Sequence, residues 1–222
     1  MSVLASTGLQ IQSLSCERGL RRLFGGVDMI LSAGDALLVE GENGAGKTTL
    51  LKCLAGLSSA YTGTIEWRGQ NLRSAGYAVG DVVFAGHTAG LKVMLSPREN
   101  LRWWAALHLP KSTGYTDSEL DTALQQTGLS ESVMQSCFRL SSGQQRRAAL
   151  ARLYLSRHRL WVLDEPFTSL DRRGVVALES RIAQHRAAGG MLVMTSHQPS
   201  SVPFSQCLQL EEYAESGRYS HG

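Results

Sequence analysis

The stretch GENGAGKTT, Gly41 to Thr49, fits G-x-x-x-x-G-K-[ST]. It follows an apolar run and opens a helical one, the context in which this pattern cradles phosphate. Glycines at Gly41, Gly44 and Gly46 let the backbone curl, so that N–H groups from Glu42, Asn43, Ala45 and their neighbours point inward at an anion. The helix N-terminus adds partial positive charge. Lys47 supplies a point charge for terminal phosphates, the Thr48 hydroxyl suits Mg²⁺, and Thr49 completes the loop. A second constellation is LWVLDEP, Leu160 to Pro166, an apolar strand ending in two acids. Ligands of an open α/β sheet gather at the carboxyl ends of its strands. There Asp164 can hold Mg²⁺, and Glu165 is left free to polarise a water for attack on phosphorus. A third is the histidine in FAGHTAGLK, Phe84 to Lys92. Taken alone, His87 could be a core residue, a metal ligand, a proton carrier or a phosphate contact.

These groups need elements to position them, and strand-like and helix-like runs alternate along the chain. LQIQSLSC and DMILSAGDALLVEG predict strands, the second divided by a turn at Ala33-Gly34, and KTTLLKCLAG predicts a helix ending at Gly56. GTIEWRG and DVVFAG predict short strands. From Ser96 to about Leu155 the pattern turns helical. Two capping boxes, Ser96 with Glu99 and Thr116 with Glu119, start helices there, and Pro97 suits a first helical position. After Arg159 the chain returns to a buried strand (LWVLD), a helix, the strand MLVMTS and a last strand near CLQLEE. The expectation is one domain over residues 1–222: a core from 1–86 and 158–222, interrupted by a helical subdomain at 87–157.

Bulk properties exclude several classes. A chain of 222 residues with 43% hydrophobic and 18% charged residues is long enough for one globular core. A net charge of +3 gives no argument for a nucleic-acid partner. Cys16, Cys53, Cys137 and Cys207 form no CxxC pair and predict buried free thiols rather than a zinc or disulfide framework. The start MSVLASTGLQIQS lacks the features of a secretory signal. No run approaches the ~18 apolar residues of a membrane span, so any membrane part belongs to another chain.

The stretch LSSGQQRRAALAR, Leu140 to Arg152, gives the sharpest resemblance. Ser141, Ser142 and Gly143 would lie at a helix N-terminus, and Ser141 with Gln144 also fits a capping box. With the order P-loop, helical insertion, this stretch, LDEP and a late histidine, the chain closely resembles ABC-type ATPases. That resemblance implies an α/β fold: a P-loop NTPase (RecA-like) core, an antiparallel β part and the inserted helical subdomain. It implies ATP and Mg²⁺ as ligands, and a homodimer in which Leu140, Ser141, Ser142, Gly143 and Gln144 of one subunit close on the ATP of the other. It further implies that Ser169, Leu170 and Asp171 form the D-loop and that His197 is the switch histidine beside the γ-phosphate. Lys47, Glu165 and His197 are then the catalytic set, and Thr48 and Asp164, joined by His87, the surroundings of the metal. The family's adenine-stacking aromatic residue is replaced here: its position falls at or near Arg18, whose plane either stacks on the base or stays solvated. No lysine follows an asparagine, which disfavours the N-K-x-D GTPases.

His87 stands at the family's Q-loop position, between core and helical insertion. A neutral imidazole offers one donor and one acceptor, as the usual glutamine amide does. This substitution, with GENGAGKTTLLKCLAGL and LSSGQQRRAALARLYLS, resembles the haem-exporter ATPases of bacterial cytochrome c maturation. That resemblance implies a peripheral subunit on the cytoplasmic face of the inner membrane. It implies a transmembrane partner (CcmB-like) and a nearby haem-handling protein (CcmC-like), without direct haem binding by this chain. The alternative is a soluble ABC-type regulator lacking such a partner. Trp103 and Trp104, about 100 degrees apart on a helix, cannot face one core together; one lines the partner's groove, or one is simply exposed.

Overall fold

The structure is a computed structural model that describes residues 8–19, 21–77, 81–108, 115–129 and 134–214. The amino-terminal stretch read above as lacking a signal lies mostly outside these residues. Strands β1 (Leu9–Arg18), β2 (Arg21–Leu31), β4 (Thr62–Trp67) and β5 (Gln70–Asn71) form an antiparallel sheet in the order β2-β1-β4-β5. Strands β3 (Ala36–Glu40), β6 (Val82–Ala85), β7 (Leu160–Asp164), β8 (Met191–Thr195) and β9 (Gln206–Gln209) form a parallel sheet in the order β6-β7-β8-β3-β9. Every residue of β7 and β8 is buried. This is the continuous apolar character of parallel strands covered on both faces. Helix α1 (Lys47–Leu54) leaves the end of β3, α2 (Leu72–Ala75) is a short turn, and α7 (Arg172–Ala187) precedes β8.

The helical insertion comprises α3 (Pro97–His108), α4 (Asp117–Gln126), α5 (Ser142–Leu150) and α6 (Arg152–Leu155), with a 3-10 turn at Cys137–Arg139. Both expected capping boxes form. Glu99 accepts from the Ser96 N–H and Glu119 from the Thr116 N–H, each at 2.8 Å. Leu101, Trp104, Leu120, Leu124 and Leu153 join one apolar cluster with Trp161 and Leu163 of β7, which seats the insertion on the parallel sheet. Among the described residues no helix is long and apolar enough to cross a membrane.

Two details differ from the sequence reading, and a third follows it. Strand β2 starts at Arg21, not near Asp28, because Phe24 pairs with Cys16 and buries its ring despite the flanking arginines and glycines. Cys16, Cys53 and Cys137 are buried as expected, but Cys207 is exposed, its thiol 3.0 Å from Glu40 Oε2 on the neighbouring strand. Trp103 and Trp104 divide as their angular separation requires: Trp104 is buried near His108 and His158, and Trp103 is 46% exposed with Lys92 over its ring.

Two histidines are built into the core as neutral rings. His158 shares its Nδ1 with Ser156 Oγ at 2.7 Å, beside His108 and Trp104. His185 stacks on Trp161 at 3.9 Å, and its Nε2 lies 3.1 Å from the Met191 carbonyl, which requires an Nε2–H. Burial pushes both imidazoles down to about 4. The unfolded chain takes up these protons near pH 6.5 and the folded chain does not, so stability falls as pH drops from about 6.5 towards 4. The loss expected at pH 5 is about 2 kcal/mol for each ring. Urea midpoints at pH 7.5 and pH 5 check this. His185→Gln should flatten part of the drop, and a midpoint that does not move with pH would contradict the assignment.

Candidate functional site

The site forms where the carboxyl ends of the inner strands β7, β8 and β3 meet the start of α1. A cavity of about 360 Å³ lies there. P-loop residues Glu42, Asn43, Gly44, Gly46, Lys47, Thr48 and Thr49 line it, together with Arg18, His87, Asp164, Glu165 and His197. The P-loop glycines carry the turn. Gly46, the N-cap of α1, has φ 104°, a conformation closed to most side chains, and an added Cβ would lie 3.0 Å from Leu23. Lys47 folds its ammonium over the loop, donating to the carbonyls of Gly41 and Glu42. Gly41 instead faces an adjoining cavity, and Ala45 packs against the core.

The two acids at the end of β7 are held differently. Asp164 is buried; its Oδ2 accepts from Thr48 Oγ1 and its Oδ1 from Thr195 Oγ1, both at 2.8 Å. Thr195 Oγ1 in turn accepts from the Glu165 N–H at 2.9 Å. One Glu165 oxygen, Oε2, accepts from the His197 N–H at 3.0 Å. The other, Oε1, is buried without a hydrogen-bond partner among the described residues, and His197 Nε2 stands 3.6 Å from it. A carboxylate with one oxygen tethered and the other free can accept from a water without losing its orientation. The Thr48 hydroxyl and the Asp164 carboxylate, in contact beside the lysine, offer hard oxygen donors that fit Mg²⁺.

Sequence reading missed Thr195 in this network. Its signal was available in the register, since Thr195 pairs with Asp164 across β7 and β8. His87 is exposed and lines the same cavity. Arg18, exposed at the end of β1, reaches the cavity too.

The signature residues Leu140 to Gln144 and the D-loop residues Ser169 to Asp171 do not line this cavity. They meet one another instead. Ser141 caps α5, with Gln144 Oε1 accepting from the Ser141 N–H at 2.9 Å, and Ser142 opens the helix on an exposed face. Asp171 caps α7 through the Gly174 N–H and pairs with Arg147 of α5. Those contacts, the Gly174 N–H first, hold its carboxyl below the usual range.

A P-loop lining a cavity at the strand ends, with the LSSGQ segment starting a capped helix outside that cavity, fits an ATPase of the ABC class, and a family profile described as ABC transporter matches residues 24–168. The chain therefore belongs to the ABC transporter family of ATPases. Within it the chain groups with the CcmA proteins. It is 43% identical over 209 residues to the cytochrome c biogenesis ATP-binding export protein CcmA of Saccharophagus degradans, covering 91% of this chain and 93% of that one. Among solved structures, an ABC transporter ATP-binding protein of Pyrococcus furiosus matches with a TM-score of 0.80 at 22% identity, over 94% of this chain and 100% of that one. A dimeric post-hydrolysis ATP-binding cassette bound to ADP and Pi matches with a TM-score of 0.72 at 18% identity, over 86% of this chain and 88% of that one.

Proposed function

We propose that this chain is the ATP-hydrolysing subunit of a membrane complex for c-type cytochrome maturation, coupling hydrolysis to haem export or to release of a haem-loaded chaperone. The similarity to CcmA over nearly the full length of both chains carries this reading. The export role in that relative's name speaks for a membrane partner over a soluble regulator. The partners are a CcmB-like transmembrane subunit and a CcmC-like haem-handling protein, met at the cytoplasmic face of the inner membrane. Residues 87–157 act as the helical subdomain that meets them, with 1–86 and 158–222 as the nucleotide-binding core. Trp103, Leu107, Val93 and Met94, all exposed in or before α3, are the apolar residues offered to that partner.

Two copies pair head to tail, the arrangement that the resemblance to ABC-type ATPases implies; that a cassette of the same fold is dimeric with ADP and Pi agrees with pairing as such. The P-loop N–H groups and Lys47 hold the phosphates of one ATP. Leu140 to Gln144 of the opposite copy close over it, beside Ser169, Leu170 and Asp171. Thr48 and Asp164, with His87 nearby, would hold Mg²⁺, which neutralises phosphate charge when bound. Glu165 orients a water for in-line attack through its free Oε1, and His197 steadies that carboxylate and contacts the γ-phosphate. His87 reports nucleotide status to the partner, and Arg18 lies on the adenine side.

The test is co-purification from membranes alongside complementation. In a strain lacking this chain, the wild-type copy should restore haem-stained c-type cytochromes and bring down an integral subunit. Lys47→Ala should keep the subunit and lose the cytochromes, and Trp103→Ala should weaken the pull-down with ATP binding unchanged. Normal cytochromes without any copy of the chain would remove the proposed role.

A further inference from the structure

Arg146 lies on α5, three residues past Gly143, and is 4% exposed. A buried guanidinium normally sits against a carboxylate. This one makes no ion pair among the described residues; all of its hydrogen bonds go to backbone carbonyls. Nε donates to Pro166 O at 3.3 Å. Nη1 donates to Gly86 O at 2.7 Å and His87 O at 3.3 Å. Nη2 donates to Asp164 O at 3.1 Å and Glu165 O at 2.7 Å. A guanidinium has five N–H donors in a rigid fork, and here each has an acceptor. Burial draws the group below its usual range, and the charges of Asp164 and Glu165 oppose that fall.

The acceptors belong to two segments that sequence separates widely: the loop carrying His87 and the turn carrying Glu165. That turn is strained. Glu165 has φ 49°, in the left-handed region, and it precedes Pro166, which restricts its backbone further. Such a residue persists only where its surroundings over-determine it. Three backbone contacts do so: Thr195 Oγ1 accepts from the Glu165 N–H, and the Glu165 carbonyl accepts from Arg146 at 2.7 Å and, at a longer 3.3 Å, from the Thr168 N–H.

We propose that Arg146 is a positioning residue: its guanidinium holds Glu165 in this strained conformation and ties it to the His87 loop, so that movement of that loop moves the water-orienting carboxylate. The proposal rests on the reading of Glu165 given above and is independent of any role in cytochrome maturation. It adds a mechanical link between the signature helix, the His87 loop and the site of attack.

Arg146→Lys tests it. A lysine keeps the charge but presents its donors from one atom, so it cannot span both segments. Steady-state ATPase of the purified chain should show kcat reduced by about tenfold to a hundredfold, with KM for ATP within about twofold. Leu178→Ala, a truncation of a buried core residue on α7, serves as a control for lost stability and should keep kcat at a comparable fall in Tm. A folded Arg146→Lys with kcat within about twofold of wild type overturns the proposal, as does a fall in kcat that the control reproduces. Glu165→Gln run in parallel separates the two readings. If it is inactive while Arg146→Lys is normal, only the Arg146 link fails; if it is active, the reading of Glu165 fails and the link with it. A second measurement needs no substitution. In wild-type protein with selectively labelled arginine, the Nη protons of Arg146 should exchange slowly, give distinct NMR signals and shift on adding Mg·ATPγS. Averaged, rapidly exchanging signals that ignore nucleotide overturn the proposal.

Discussion

Glu165→Gln is expected to bind ATP with nearly wild-type affinity and to hydrolyse it about a hundredfold to ten-thousandfold more slowly. The amide has the shape of the carboxylate, so the backbone contacts from Arg146 and Thr195 survive, and the side-chain oxygen can still accept from the His197 N–H. What disappears is the basicity of Oε1, the oxygen left without a partner. The phosphate-holding groups, Lys47 and the P-loop N–H donors, are untouched. A variant that binds but does not cleave should accumulate as the ATP-bound pair, visible as a doubled mass in light scattering with Mg·ATP and a single mass without it. Phosphate release near the wild-type rate would refute the assignment of Glu165. Loss of ATP binding would show that the carboxylate organises the site rather than acting on water.

Much of this site was legible because its signals are local. Gly41 to Thr49 encodes its own turn, and the capping boxes at Ser96, Thr116 and Ser141 each need only a residue and its neighbour three positions on. Asp164 could be placed because an all-apolar strand before two acids points at the carboxyl end of a sheet. Thr195 and Arg146 were not legible on the same terms. Thr195 matters because β8 runs beside β7 in a register that sets it opposite Asp164, and no local pattern encodes that register. Arg146 looked like one more basic residue in QQRRAALAR. Only the packing of α5 under the ends of β6 and β7 turns it inward while Arg147, its neighbour, faces Asp171. The strand at Arg21 was hidden for a related reason: its apolar residue Phe24 is isolated between arginines and glycines, and pairing with β1 decides its state. Cys207 was misjudged because composition favours buried thiols, whereas β9 is the edge of its sheet.

Gly143→Ala is expected to lower ATP turnover by about a hundredfold while leaving ATP binding to the P-loop of the same chain intact. The cause is steric and specific. A Cβ at Gly143 would stand 2.7 Å from the Ser169 carbonyl oxygen, a backbone atom that cannot rotate away. Ser169 already has φ 65°, and the segment beyond it is anchored where Asp171 caps α7 and pairs with Arg147. The added methyl therefore displaces either the start of α5 or the segment Ser169 to Asp171, which in the proposed head-to-tail pair are the two segments that meet the partner's nucleotide. Neither lines the cavity that holds the chain's own P-loop, so fluorescent ATP should bind as before, while ATP-driven pairing of Gly143→Ala, made in the Glu165→Gln background, should be lost. Gly143→Asp should do more, because it sets a negative charge against a triphosphate at a helix N-terminus that otherwise favours anions. Ser142→Gly should do little, since Ser142 is exposed and its side chain makes no contact that the helix needs. That ordering separates a packing requirement at Gly143 from a general sensitivity of the signature. Turnover of Gly143→Ala within about twofold of wild type would mean that the D-loop yields to the methyl group, and that the contact between Gly143 and Ser169 does not set the geometry of the shared site.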